Sequence, residues 1–158
     1  MTSLSKSQVR SRRWHSRWSS IPNPIAESIR HIAIQSDLDI VTARVEGRNL
    51  AREMGFDIID QARIATAISE LTRNVVRYAK EGTLILKRLE GDRRCGLEIL
   101  CKDRGPGIED IQQVMQDSYS SQRGLSVGLP GTRRLMDEFE IQSTLGQGTT
   151  VITRKWLR

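Results

Sequence analysis

Two side chains that could share a ligand stand four residues apart in the stretch "AISELTRNVV": Glu70 and Asn74. On a helix, positions i and i+4 lie on one face. An asparagine carbonyl oxygen is a hard donor for Mg²⁺, which takes few protein ligands and bridges phosphates. A glutamate one turn earlier can take a proton from a hydroxyl or water beside a γ-phosphate. The same pair also reads as a solvated face, with Glu70 ion-paired to Arg73 at i+3.

Three glycine clusters follow. In "DRGPG", Asp103 ends a strand-like stretch, and Gly105 and Gly107 allow a backbone to approach a ligand closely. The carboxylate beside them can accept a hydrogen bond from an exocyclic amine such as that of adenine. "RGLSVGLPG", Arg123 to Gly131, opens a helix, where free N–H groups and the helix dipole favour phosphate. No G-K-[ST] follows, so it is not a P-loop, and the GxGxxG spacing after a strand is missing. "GQGTT" places a hydroxyl, Thr149, in a turn between the last two strands. Each cluster alone also reads as an ordinary turn or linker. All four motifs in this order are much less expected by chance.

The elements that must position these residues form an α/β pattern. "SIRHIAI" (28–34) alternates as a strand does. "DLDIVTARVEGRNLAREMGF" is a helix that Asp37 or Asp39 can cap, with Gly55 at its C-cap. A second helix runs from about Asp57 to Tyr78, with Ile64, Ile68, Leu71, Val75 and Ala79 on its apolar stripe and Glu70 and Asn74 on the other side. "GTLILKRLE" and "CGLEILCKD" are strands joined by "GDRR". A short helix at about 109–116 follows, then a third longer helix, "LPGTRRLMDEF", with Pro130 in its first turn. "EIQST" and "TVITRKWL" are the final strands.

Charge and composition limit the alternatives. The 158 residues suit one domain and carry a net charge of +6. Lys6, Arg10, Arg12, Arg13 and Arg17 contribute five of these charges within residues 1–26, leaving +1 for the rest. The globular part therefore has no strong electrostatic reason to bind nucleic acid. The tail 1–27, with Trp14 and Trp18 between its charges, reads as disordered, with a partner-, RNA- or membrane-contacting arm as the alternatives. No apolar run approaches the roughly 20 residues of a bilayer span, and the N-terminus has no apolar signal core. Cys95 and Cys101 read as two buried reduced thiols of a cytoplasmic protein. His15 and His31 are the only histidines, and no phosphoacceptor helix pair precedes the domain, which argues against a histidine kinase.

The motif set resembles the GHKL family of ATP-binding proteins. "DIVTARVEGRNLAREMGF", "DQARIATAISELTRN", "GPGI", "GLPGTRRLMDEFEI" and "KWLR" narrow the resemblance to the RsbT-like serine/threonine kinases of the bacterial stressosome, in the anti-sigma-factor kinase branch. It covers about residues 30–158 and not the tail. It implies a two-layer α/β sandwich of GHKL (Bergerat) type over 28–158: a mixed sheet covered on one face by helices, with an ATP lid. It also implies ATP and Mg²⁺ as cofactors, with Glu70 as catalytic base and Asn74 as metal ligand. Asp103 would hold the adenine amine, Gly105 and Gly107 would shape the base pocket, and Thr149 would lie near the base. Arg123, Gly124, Gly128, Leu129 and Gly131 would meet the phosphates from the lid. There the chain departs from its relatives' denser glycine run, because Ser126 and Val127 precede Gly128. The implied partners are STAS-domain scaffold and antagonist proteins and a PP2C-type phosphatase, with no nucleic acid and no membrane. The alternative is an anti-sigma-factor kinase that sequesters a sigma factor and phosphorylates an anti-anti-sigma STAS protein.

Overall fold

The computed structural model describes residues 29–116 and 128–158. The tail therefore lies outside the described residues, as do Arg123, Gly124, Ser126 and Val127 of the lid.

The described residues open with β1 (Ile29–Ile34), followed by α1 (Asp37–Met54) and α2 (Ile58–Asn74). A five-residue π-helical turn, Val75–Ala79, extends α2. The hairpin β2 (Gly82–Glu90) and β3 (Cys95–Asp103) comes next, with the boundaries expected from the two strand-like runs around GDRR. Then come a one-turn helix α3 (Ile111–Val114), α4 (Gly128–Leu135), and the hairpin β4 (Glu138–Thr144) and β5 (Gly148–Trp156).

The five strands form one sheet in the order β1-β2-β3-β5-β4. Every pairing is antiparallel, which corrects the expected mixed sheet. The connections explain why. Tight turns join β2 to β3 and β4 to β5. Two helices, not one, separate β1 from β2, so the chain reverses once more before β2 begins. A single helical crossover between neighbours would have given a parallel pair.

One sheet face meets the helices. Ile34, Leu84, Leu86, Leu97, Ile99 and Val151 alternate inward from their strands and pack with Ile64, Ile68, Leu71 and Val75 of the α2 stripe in one buried cluster. Burying a side chain of this size contributes about 1.5–3 kcal/mol, so this cluster fixes α2 against the sheet. Ala79, the last residue of the expected stripe, is only half-buried.

Local chemistry shifts several boundaries. Ser36, not Asp37 or Asp39, is the N-cap of α1. Asp39 instead acts from the third helical position, its carboxylate accepting from the Gln35 and Ser36 amides at 2.8 and 3.0 Å. These bonds, that from Gln35 first, hold its carboxyl below the usual range. Gly55 closes α1 in the left-handed conformation, φ 93°. The helix expected over 129–139 stops at Leu135. The Asp137 amide donates to the Arg154 carbonyl, and its carboxylate accepts from the Trp156 amide at 2.7 Å, which draws the chain into the sheet. Cys101 is buried as expected, but Cys95, at the start of β3, is exposed.

Candidate functional site

Helix α2 delivers Glu70 and Asn74 to the same edge of the molecule, but not to an open surface. Glu70 is only 6% exposed. One carboxylate oxygen, Oε1, accepts from Arg73 Nη1 at 2.5 Å. The other, Oε2, accepts from the backbone amide of Gly128, the first residue of α4, at 3.3 Å. The ion pair expected for a solvated face is therefore present, yet the carboxylate lies beneath the start of another helix.

Asn74 is the last α-helical residue of α2. The following π-helical turn widens the backbone and ends at Lys80, φ 71°, the one non-glycine residue with positive φ among those described. π-turns of this kind often mark functional positions. Here the turn seats Ala79 against the Asp103–Gly107 loop. A β-carbon on Gly105 would lie 2.6 Å from that of Ala79, so glycine is needed for this close approach. Gly107 adopts φ 77°, and a β-carbon there would run into the Thr144 carbonyl.

Asp103 links the two glycine turns. Its Oδ1 accepts from the Gly105 amide at 2.8 Å and from the Thr149 amide at 3.2 Å. Its Oδ2 has no hydrogen-bond partner among the described residues. Ser143 adds a second link: its hydroxyl accepts from the Ile108 amide at 2.7 Å, donates to the Gly148 carbonyl at 3.1 Å, and lies 2.8 Å from the Thr149 hydroxyl.

These elements enclose a cavity of about 360 Å³. Asn74, Asp103, Gly107, Gly128, Leu129 and Thr149 line it, and Leu71, Val75, Cys101 and Val151 give it an apolar wall continuous with the core. Glu70 and Gly105 adjoin the cavity rather than line it. Gly131 is buried within α4, away from the wall. Arg123 and Gly124 fall outside the described residues. Burial pushes the Cys101 thiol up to about 12, with the charge of Asp103 adding to the effect.

Sequence reasoning missed Ser143, Gly148 and Arg77. Gly148 sat in a cluster already singled out: a β-carbon on it would meet the Asp103 carbonyl. Ser143 carried only the weak signal of a hydroxyl near a glycine turn, and Arg77, on the cavity wall, only that of its place on the polar side of α2.

The arrangement suits a planar ring against the apolar wall, an amine at Asp103 Oδ2, and an anion at the amide end of α4. A purine nucleotide has these three features in this order. The comparisons with known proteins agree. Residues 59–158 match the model of the histidine kinase-, DNA gyrase B- and HSP90-like ATPases. Over 127 residues the chain is 50% identical to serine/threonine-protein kinase RsbT of Bacillus subtilis, covering 80% of this chain and 96% of that protein. It is 30% identical over 121 residues to the anti-sigma F factor of Caldanaerobacter subterraneus, covering 73% of this chain and 83% of that one. The crystal structure of the RsbU and RsbW domains of a Mycobacterium tuberculosis protein superposes with a TM-score of 0.55 at 26% identity, covering 80% of this chain and 31% of that longer one.

The chain thus belongs to the GHKL family of histidine kinase-, gyrase B- and HSP90-like ATPases, and within it to the group of RsbT-like serine/threonine-protein kinases. It is an ATP-using protein kinase.

Proposed function

We propose that this kinase transfers the γ-phosphoryl group of ATP to a serine or threonine of STAS-domain scaffold or antagonist proteins. Once released from them, it binds and activates a PP2C-type phosphatase in a cytoplasmic stress-signalling switch. The observation that carries the reading is the enclosure of Asn74, Asp103 and the α4 amide end by one cavity, with Glu70 beside it. The 50% identity to a named serine/threonine kinase supports the acceptor class. The +1 charge left once the five tail cations are set aside from +6 supports a protein rather than a nucleic-acid partner.

Within this reading Asp103 Oδ2 accepts from the adenine amine. Gly105 and Gly107 keep the loop close to the base, with Thr149 at its edge. Gly128 and Leu129 meet the phosphates, joined by Arg123, Gly124 and Gly131 of the lid segment. Glu70 takes the proton of the acceptor hydroxyl as that oxygen attacks phosphorus. Among the described residues no group of three His, Cys, Asp or Glu is arranged to hold a metal. Asn74, a single neutral oxygen donor on the wall, fits Mg²⁺ held mainly by phosphate oxygens. When bound, that ion neutralises charge on the transferring phosphoryl group.

The anti-sigma F relative at 30% identity supports a second reading, a kinase that sequesters a sigma factor. Phosphotransfer from γ-labelled ATP to candidate STAS proteins, with Glu70→Gln as control, tests the kinase activity, and a pull-down of STAS proteins and sigma factors separates the two. The first reading expects a labelled STAS protein, at a rate about 10²–10⁴-fold lower with the variant. Capture of a sigma factor with no labelled STAS protein reverses the order.

A further inference from the structure

Both carboxylate oxygens of Glu70 are engaged. Oε1 is held by Arg73 and Oε2 by the Gly128 amide. Each oxygen keeps a second lone pair, but with a donor on both the carboxylate is a weaker base toward a hydroxyl proton, and the Gly128 amide stands on the side of α4. The two partners differ in kind. The Gly128 amide opens α4 and is the group that a phosphate would claim, because the helix's positive end and free N–H favour an anion. Arg73 belongs to the same helix as Glu70, one turn on, and its contact does not depend on α4. Its side chain is 38% exposed against 8% for Glu70, so it approaches the buried carboxylate from the solvent side. It has no other partner among the described residues.

We propose that Arg73 is a positioning residue for Glu70. Resting on the base reading above, the inference is that phosphate takes the Gly128 amide from Glu70 and leaves Oε2 open toward the acceptor. Arg73 then becomes the one fixed contact that aims the carboxylate. The i+3 ion pair is thus part of the catalytic geometry and not a surface pair.

Because Glu70 is buried, losing Arg73 also leaves its carboxylate short of a partner and lowers stability, so rate, ATP binding and melting are read together to separate a fold effect from a positioning effect. Four variants of the full chain test the inference: Glu70→Gln, Arg73→Met, Arg73→Lys and the Glu70→Gln/Arg73→Met pair. Each is measured for phosphotransfer from γ-labelled ATP to a STAS-domain protein, binding of a fluorescent ATP analogue, and thermal midpoint. Misaimed groups of this kind cost on the order of 10²-fold. Arg73→Met is expected to lower kcat about 10- to 100-fold with ATP binding near wild type and a lower thermal midpoint that still leaves the protein folded at the assay temperature. Arg73→Lys should recover most of the loss. The double variant should be no slower than Glu70→Gln alone, because two residues acting as a unit are non-additive. Wild-type turnover in Arg73→Met beside a slow Glu70→Gln overturns the role of Arg73 alone. So does a multiplicative loss in the double variant, or a parallel fall in melting, binding and rate. Normal turnover in Glu70→Gln removes the base reading itself, and this inference with it.

Discussion

The Asp103 carboxylate and the Thr149 backbone amide are hydrogen-bonded across the sheet, Oδ1 to N, at 3.2 Å. The same oxygen accepts from Gly105 at 2.8 Å. One atom therefore ties the end of β3 to the loop that follows it and to the start of β5, while the other oxygen of that carboxylate is left for a ligand. Asp103 is structural on one side and recognitive on the other.

That division predicts how Asp103→Asn behaves. An amide can present its oxygen to Gly105 and Thr149, so folding should survive. Its NH₂ then replaces Oδ2 and faces the adenine amine donor to donor. Two unpaired buried donors cost about 1–3 kcal/mol, or roughly 5- to 150-fold in Kd. Isothermal titration with an ATP analogue reads this directly, alongside a thermal melt. Retained affinity in a folded variant would remove the amine contact.

The Lys80 backbone gives a prediction about stability. Lys80 ends the π-helical turn at φ 71° and ψ −41°, a sparsely populated region outside the left-handed helical well that costs a non-glycine residue about 1–3 kcal/mol. Lys80→Gly relieves this strain but loosens the unfolded chain, which costs about 0.4–1 kcal/mol. The net expectation is a small gain in thermal midpoint. Lys80→Val, with a branched β-carbon, should melt lower than wild type. The order Gly above Lys above Val by differential scanning fluorimetry supports a strained turn; Val equal to Gly would show that the position is unstrained.

Much of this arrangement was legible before any coordinates. The β2 and β3 boundaries followed from two strand-like apolar runs on either side of the GDRR turn, and Gly55 marked its cap because no other residue accepts φ 93° as readily. Asp103, Gly107, Thr149 and Asn74 were named from motif order, and one cavity encloses all four. The burial of Glu70 was not legible. It arises because α4 lays its first residue over a helix face that is polar by sequence, and periodicity says nothing of what covers a face. The antiparallel sheet was missed because strand neighbours depend on the chain path rather than on any strand's own pattern. The early end of α4 depends on hydrogen bonds between Asp137 and β5, residues nearly twenty positions apart.

The two cysteines should differ sharply in reactivity. Cys95 is exposed, whereas Cys101 is 4% exposed with its thiol pushed up to about 12. The thiolate is the nucleophile, so at pH 8 Cys101 is both inaccessible and almost wholly protonated. Brief treatment with iodoacetamide should add one label, at Cys95, and a second only after unfolding in guanidinium. Intact and peptide mass spectrometry locate the labels. Equal labelling of both residues in the native protein would mean that the cavity wall opens readily.

Asp137 predicts the acid limb of stability. Partial burial works against its charge, but the Trp156 amide, the Lys155 ammonium and the Arg158 guanidinium outweigh that and hold its carboxyl below the ordinary value. A carboxylate with a lowered folded pKa binds its proton more readily when unfolded. Its contribution is therefore complete above the unfolded pKa of about 3.9 and is lost as pH falls through the folded value. Asp137→Asn removes this term while keeping the shape. It also leaves the Lys155 ammonium, itself 3% exposed, with only Asp60 at 3.6 Å as a charged partner. The variant should be less stable than wild type at pH 7, and the gap should narrow steadily from about pH 5 downward. Urea denaturation of both proteins at pH 7, 5, 4 and 3 measures the gap at each step. A gap that stays constant across that range would assign the role of Asp137 to its hydrogen-bond geometry and not to its charge.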